Sequence, residues 1–367
     1  MEEQIRAYLA RKFGVPIKLL TVKELGAGST AASGEAQRDV KGFGYGRPYF
    51  VTFERPGGAV EEVVLSTMKG DCFGHDHFAD RAGILLWQHH AFNTLPKHVR
   101  SLDVGYVTKA GRMESAGDAE EFFILCEKVE GREYVHDLNR LRDGGELRAL
   151  DRARVAALAS YLAAIHAVKS SESSRYVRRI RELVGHSECI FGLTDSYPPD
   201  NGFISPEELQ AIEKACIEWR WRLKERTGRL CQVHGDFHPW NVMFRESTDF
   251  TALDRSRGEW GEAADDVTAM AINYLFFGLI TTAGKKLDEG FKSLFELFFE
   301  TYLEKTGDQE LLEVIQPFFA FRGLVVASPV WYPHITLETR RKLFNFIRNV
   351  LEAEEFDYKG VSGYLEG

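Results

Sequence analysis

The octapeptide His234-Gly235-Asp236-Phe237-His238-Pro239-Trp240-Asn241 constrains this chain more than any other stretch. Short apolar runs flank it, Leu230–Val233 before and Val242–Phe244 after. Runs of that length bounded by turn residues predict strands, so the octapeptide is a loop between two of them. Asp254 follows thirteen residues after Asn241, at the end of a third apolar run, Phe250–Leu253. An aspartate and an asparagine five residues apart, with a second aspartate past a hairpin, suit phosphoryl transfer. One carboxylate orients a hydroxyl and takes its proton, while an amide oxygen and another carboxylate hold magnesium on nucleotide phosphates. Protein kinases write this loop H-R-D-x-x-x-x-N; here glycine stands in place of the arginine.

The H-G-D-x-x-x-x-N loop, Asp254, and the later Gly261-Glu262-Ala263-Ala264-Asp265-Asp266 together resemble the aminoglycoside phosphotransferase and choline kinase superfamily. The likeness is close from His234 to Ala271 and holds only in outline elsewhere. That resemblance implies a bilobal, protein-kinase-like α+β fold. Residues 1–129 would form a sheet-rich, nucleotide-covering lobe, and residues 130–367 a helical lobe with the catalytic loop and acceptor site. It also implies an ATP- and Mg2+-dependent phosphotransferase acting on a hydroxyl of a small molecule. Asp236 would be the catalytic base, Asn241 and Asp254 the magnesium ligands, and His234 and Asp266 braces for the loop. The chain departs from the family pattern in reading Leu253-Asp254-Arg255-Ser256 for I-D-W-E, and Gly261-Glu262-Ala263 for G-D-P.

The nucleotide side is less regular. Gly42-Phe43-Gly44-Tyr45-Gly46 feeds a strand beginning near Pro48. Backbone without Cβ can approach phosphates closely, so Gly42, Gly44 and Gly46 are candidate nucleotide contacts. An ordinary hairpin loop is the competing reading. Kinases place a lysine on the next strand. Here Val63-Val64-Leu65 is followed by Ser66, and the nearest cation is Lys69 at the strand's end, the candidate replacement. On the helix expected over 78–92, Asp80 is the candidate partner for that lysine, with a helix-dipole role as the alternative. Because Ser66 replaces the lysine, a nucleotide-binding protein with impaired catalysis is the alternative function. Gly26-Ala27-Gly28-Ser29-Thr30-Ala31 fits G-x-G-x-x-A, but Gly34 stands where the required helix would propagate, which weighs against a dinucleotide site.

The remaining chain adds bounds. The net charge of −9 argues against a nucleic-acid partner, which needs a basic face. Five scattered cysteines without a C-x-x-C pair give no disulfide framework, in keeping with a cytoplasmic protein. The longest apolar stretch, 267–283, carries Asn273 and three threonines, so it reads as a core helix and no membrane partner is expected. Oligomeric state has no signature. Strands are expected over Ile17–Leu25, Val60–Met68, Leu102–Lys109 and Glu121–Val129. Helical spacing then predicts helices over 146–169, 173–192, 205–226, 264–278, 287–305, 309–327 and 336–352. Ser205-Pro206-Glu207-Glu208 has the form of a capping box.

Overall fold

The structure is a computed structural model that describes residues 1–24 and 46–367. The Gly26–Ala31 loop and the candidate contacts Gly42 and Gly44 lie outside the described residues. The chain divides into two compact units, Met1–Cys126 and Glu127–Gly367.

The first unit opens with helix α1 (Glu2–Phe13), followed by strands β1 (Lys18–Glu24), β2 (Gly46–Glu54) and β3 (Val60–Met68). They form one antiparallel sheet with β2 in the middle. Alternation along β2 sends Val51 and Phe53 inward, where they pack with Ile5, Leu9 and Ile17 in a small core. Helix α2 (Phe78–Phe92) and a hairpin of β4 (Gly105–Val107) and β5 (Met113–Ser115) complete the unit. The hairpin is shorter than the strand expected over Leu102–Lys109. The strand expected over Glu121–Val129 does not form. Phe122, Phe123, Ile124 and Leu125 are all exposed, and no strand pairs with this stretch among the described residues. A continuous apolar run carries no period-2 signal for one face, so only a neighbouring strand could fix it as β.

The second unit is mostly helical. Strand β6 (Arg132–Glu133) leads into α3 (Val135–Arg142), α4 (Ala149–His166), α5 (Ser173–Gly185), α6 (Ile190–Asp195) and α7 (Pro206–Leu223). The expected 173–192 helix is thus broken after Gly185. In α7 the Ser205 side chain accepts from the Glu208 N–H while Glu208 reaches back to the Ser205 N–H. Four short strands follow: β7 (Cys231–Gln232), β8 (Val242–Phe244), β9 (Phe250–Ala252) and β10 (Trp260–Gly261). Strand β8 pairs with both β6 and β9, and β7 pairs with β10.

The closing helices are α8 (Ala263–Thr281), α9 (Glu289–Thr306), α10 (Leu311–Val314), α11 (Gln316–Ala327) and α12 (Leu337–Glu352). A single helix was expected over 309–327. Pro317 sits in the first turn of α11, where its missing N–H is harmless, so the chain starts a new helix there. Every residue of α8 from Ala263 to Leu279 is buried. A helix apolar on all sides belongs at the centre of a bundle, and α3, α4, α9 and α11 pack around it. Its length and composition would also suit a membrane span, but nearly all of it is enclosed by its own unit.

Candidate functional site

Gly235, Asp236 and Asn241 owe their positions to the backbone around them. Gly235 adopts φ +89°, a conformation that disfavours any side chain. A Cβ there would also lie 3.2 Å from the Cβ of Arg257. Residues Pro239–Asn241 form one 3-10 turn, with the Asn241 N–H donating to the His238 carbonyl at 2.9 Å. The β8–β9 register then matters. Val242 faces Ala252, and the Leu253 N–H donates to the Asn241 carbonyl at 2.8 Å. Asp254 therefore follows directly after the cross-strand partner of Asn241.

The hydrogen bonds of Asn241 decide which of its atoms is available. Its Nδ2 donates to the Asp236 carbonyl at 3.1 Å. That leaves Oδ1 as the outward group, an oxygen acceptor with no proton to repel a cation. Asp254 is exposed and has a left-handed φ of 52°. Aspartate tolerates this region better than most residues, yet it is uncommon enough to mark functional turns. No hydrogen bond or ion pair joins its carboxylate to another described residue. Two hard oxygens on adjoining chain segments suit magnesium, which keeps several waters and needs only one or two carboxylates. Among the described residues no cluster of three or more His, Cys, Asp or Glu could hold a metal on protein ligands alone.

The loop is held from beneath by Asp266. This carboxylate is fully buried at the start of α8. It accepts from the backbone N–H groups of His234 and Gly235, both at 2.7 Å, and lies 3.1 Å from His166 Nε2. Burial alone would push its pKa up, but the His166 hydrogen bond and charge, with the His234 N–H bond, outweigh burial and hold it below the usual range. Gly261 lets β10 come close: a Cβ there would meet Val233 Cγ2 at 3.2 Å.

His234 links the loop to the Asp254 turn. The Asp236 N–H donates to its Nδ1 at 3.3 Å, and its ring also bonds to the Leu253 backbone. Its pKa is lowered, chiefly by burial. The folded state therefore holds fewer protons than the unfolded chain once pH drops below about 6.5, and stability falls as pH falls through that region. We expect His234→Gln to flatten this part of the profile while leaving the carboxylate-dependent loss below about pH 4. Thermal unfolding from pH 4.5 to 7.5 measures it; an unchanged slope in the variant would reassign the effect to another group.

Asp236 is not a free carboxylate. Arg322, buried in α11, donates from Nη1 to its Oδ1 at 2.6 Å and from Nη2 to the Gly235 carbonyl at 3.1 Å. Nη2 of Arg322 also bonds Asp265 at 2.6 Å. His238 Nε2 stands 3.5 Å from Asp236 Oδ2. Burial opposes ionisation of Asp236, but the His238 hydrogen bond and the positive charges of Arg322 and Arg257 overcome it, leaving the acid far below the ordinary carboxylate range. Arg255, where the family has tryptophan, donates from Nε and Nη2 to the Val233 carbonyl at 2.9 and 2.7 Å. Neither arginine was singled out in the sequence. For Arg322 the signal was one charge inside the apolar run Phe318–Ala327.

In the first unit, Gly46 begins β2 opposite Met68, and Ser66 pairs with Pro48. Lys69 follows the end of β3 and is half-buried. Asp80 Oδ2 accepts from the His77 N–H at 2.8 Å, closing a capping box at the start of α2. His75 is paired with Asp71 at 2.9 Å and His89 with Ser101 at 2.7 Å, in keeping with ordinary hydrogen-bonded histidines.

A family model described as "Phosphotransferase enzyme family" matches residues 88–281, just over half of the chain. Among curated proteins, none matches the chain significantly in sequence. Similar solved structures include a glucosamine kinase in complex with glucosamine, ADP and inorganic phosphate, 17% identical, with a TM-score of 0.34. That match covers 64% of this chain and 58% of the other, less than two thirds of the relative's length. A spectinomycin phosphotransferase in complex with ADP and spectinomycin is 10% identical, with 100% and 98% covered and a TM-score of 0.33. An ethanolamine kinase from Plasmodium vivax is 13% identical, with 87% and 78% covered and a TM-score of 0.34.

Proposed function

The chain belongs to the phosphotransferase enzyme family, and on that premise we propose that it moves the γ-phosphoryl group of ATP, with magnesium, onto a hydroxyl of a small molecule. The observation that carries this reading is the grouping of Asp236, Asn241 and Asp254. A loop gripped through its backbone by Asp266 presents the first two, and the hairpin register brings the third alongside Asn241.

Asp236 orients the acceptor hydroxyl and receives its proton. Arg322 fixes Oδ1, which leaves Oδ2, beside His238, as the oxygen for the hydroxyl. A carboxylate held this acidic is a weak base towards a resting alcohol. It suits a loose transition state, in which the proton leaves late and alignment is the main demand. Asn241 Oδ1 and the Asp254 carboxylate are the groups that would hold magnesium. When bound, the ion neutralises charge on the phosphate oxygens. Gly42, Gly44, Gly46 and Lys69 are proposed for the nucleotide on sequence grounds, with Lys69 replacing the cation that Ser66 lacks.

An acceptor screen followed by ADP release, with magnesium and ATP, tests the activity; no release above background with any hydroxyl compound would refute it. The metal assignment has its own test. Asp254→Ala should weaken magnesium-dependent ATP binding by about tenfold or more, the scale of losing a good charged contact. Asn241→Ala should weaken it less, because the ligand lost is neutral. Identical magnesium titrations in wild type and both variants would remove the pair from this role.

A further inference from the structure

One cavity of the second unit opens beside the octapeptide. Its volume is about 380 Å3, more than twice the roughly 150 Å3 that accepts a benzene. Trp240, the residue before Asn241, forms one wall. Phe276 and Phe277 from α8 form a second, and Trp331, Tyr332 and His334 from the segment between α11 and α12 form a third. The rings back one another: Trp240 lies 6.4 Å from both Phe277 and Tyr332, and Phe276 lies 4.7 Å from Tyr332. Trp331 stands at the mouth, 53% exposed. Burial pushes the Tyr332 phenol up to about 12, so this ring is neutral near pH 7.

The charge of the cavity is as informative as its rings. No aspartate or glutamate lines it. Apart from His334, its one ionisable group besides the tyrosine is Arg142, whose guanidinium is already bonded to Asp143 at 2.8 and 3.0 Å. A bound ammonium would lose its water and find no carboxylate in exchange. Aromatic faces attract cations, but Arg142, its charge offset by Asp143, leaves the wall without a counter-charge for one. An uncharged ring meets none of these costs and gains by stacking.

Through its Trp240 wall the cavity adjoins the candidate chemistry. The Trp240 indole packs edge-on against the His238 imidazole at 5.7 Å, and His238 Nε2 is 3.5 Å from Asp236 Oδ2. A ligand against Trp240 is thus two contacts from the carboxylate that would orient its hydroxyl. We propose that this cavity is the acceptor subsite, and that it selects a hydroxyl compound with an uncharged, ring-bearing apolar body over polycationic amino sugars and quaternary ammonium alcohols. The inference rests on the phosphotransferase reading and adds the chemical class of the acceptor.

The test uses the full-length protein, a panel of uncharged aryl and alicyclic alcohols and glycosides, a polyamino sugar, and choline. Equilibrium binding is read by tryptophan fluorescence and saturation-transfer NMR, and turnover by ADP release. The expected result is tighter binding of ring-bearing compounds than of either cation. Trp331→Ala, at an exposed position, should weaken that binding tenfold or more and raise the acceptor KM alone. Trp240→Phe, which keeps a ring, should have a smaller effect than Trp240→Ala. ADP release that favours the polyamino sugar or choline and ignores Trp331→Ala would overturn the acceptor class while leaving the phosphotransferase reading intact. Ring binding with no ADP release from any acceptor would overturn that reading, and the acceptor role with it. No ring binding at all would remove the cavity from the site.

Discussion

Replacing Asp236 by asparagine should lower kcat by about 10²- to 10⁴-fold, the range that a positioned proton acceptor contributes, while ATP binding stays nearly unchanged. The substitution keeps Oδ1, so Arg322 retains an acceptor where it now bonds at 2.6 Å. What is lost is the negative charge and the ability to take a proton at the second oxygen. Unfolding is therefore expected to change little compared with removing Arg322 itself, whose loss would take a 2.6 Å partner from both Asp236 and Asp265. Steady-state kinetics with an identified acceptor, alongside ADP affinity, separates the two effects. Turnover within a few-fold of wild type would take Asp236 out of the reaction.

The second large effect is on stability. Asp266→Asn is nearly isosteric, yet it removes a charge that His166 faces and puts an NH2 group where an oxygen was. Two backbone N–H groups, of His234 and Gly235, need acceptors at this point. An asparagine can serve only one and turns a donor towards the other. Breaking such a buried charged network costs about 3–5 kcal/mol, which for a unit of this size lowers Tm by on the order of 10 °C. Thermal and chemical unfolding of the variant measure it. A Tm within about 2 °C of wild type would mean the loop is held by other contacts.

The loop and its hairpin were legible because they are local. Spacing from His234 to Asp254 sets the turn, the register and the polar groups together. The Ser205–Glu208 capping box and the buried helix at 263–281 were legible for the same reason. Arg322 was not, since its partner lies 86 residues away and nothing in a helical pattern says which buried charge meets which. Arg255 occupies a motif position with a different residue, so the motif described what was missing rather than what Arg255 does. Asp80 illustrates a further limit. An acidic third residue in a helix has two sound uses, and only coordinates show the bond to the His77 N–H. The run Phe122–Leu125 marks the opposite failure, a strong strand composition that pairs with no strand among the described residues.

The octapeptide is gripped almost wholly by main chain. Asp266 takes two backbone N–H groups, Arg322 takes the Gly235 carbonyl, and Asn241 takes the Asp236 carbonyl. None of these bonds uses the side chain of Trp240. Position 240 is therefore open to design: its ring lines the cavity and packs on His238, Phe277 and Tyr332, but makes none of the hydrogen bonds that hold the loop. Substitutions there can reshape what the cavity admits while Asp236 stays in register, so on the proposed reading a directed-evolution library aimed at new acceptors has its natural starting point at this residue.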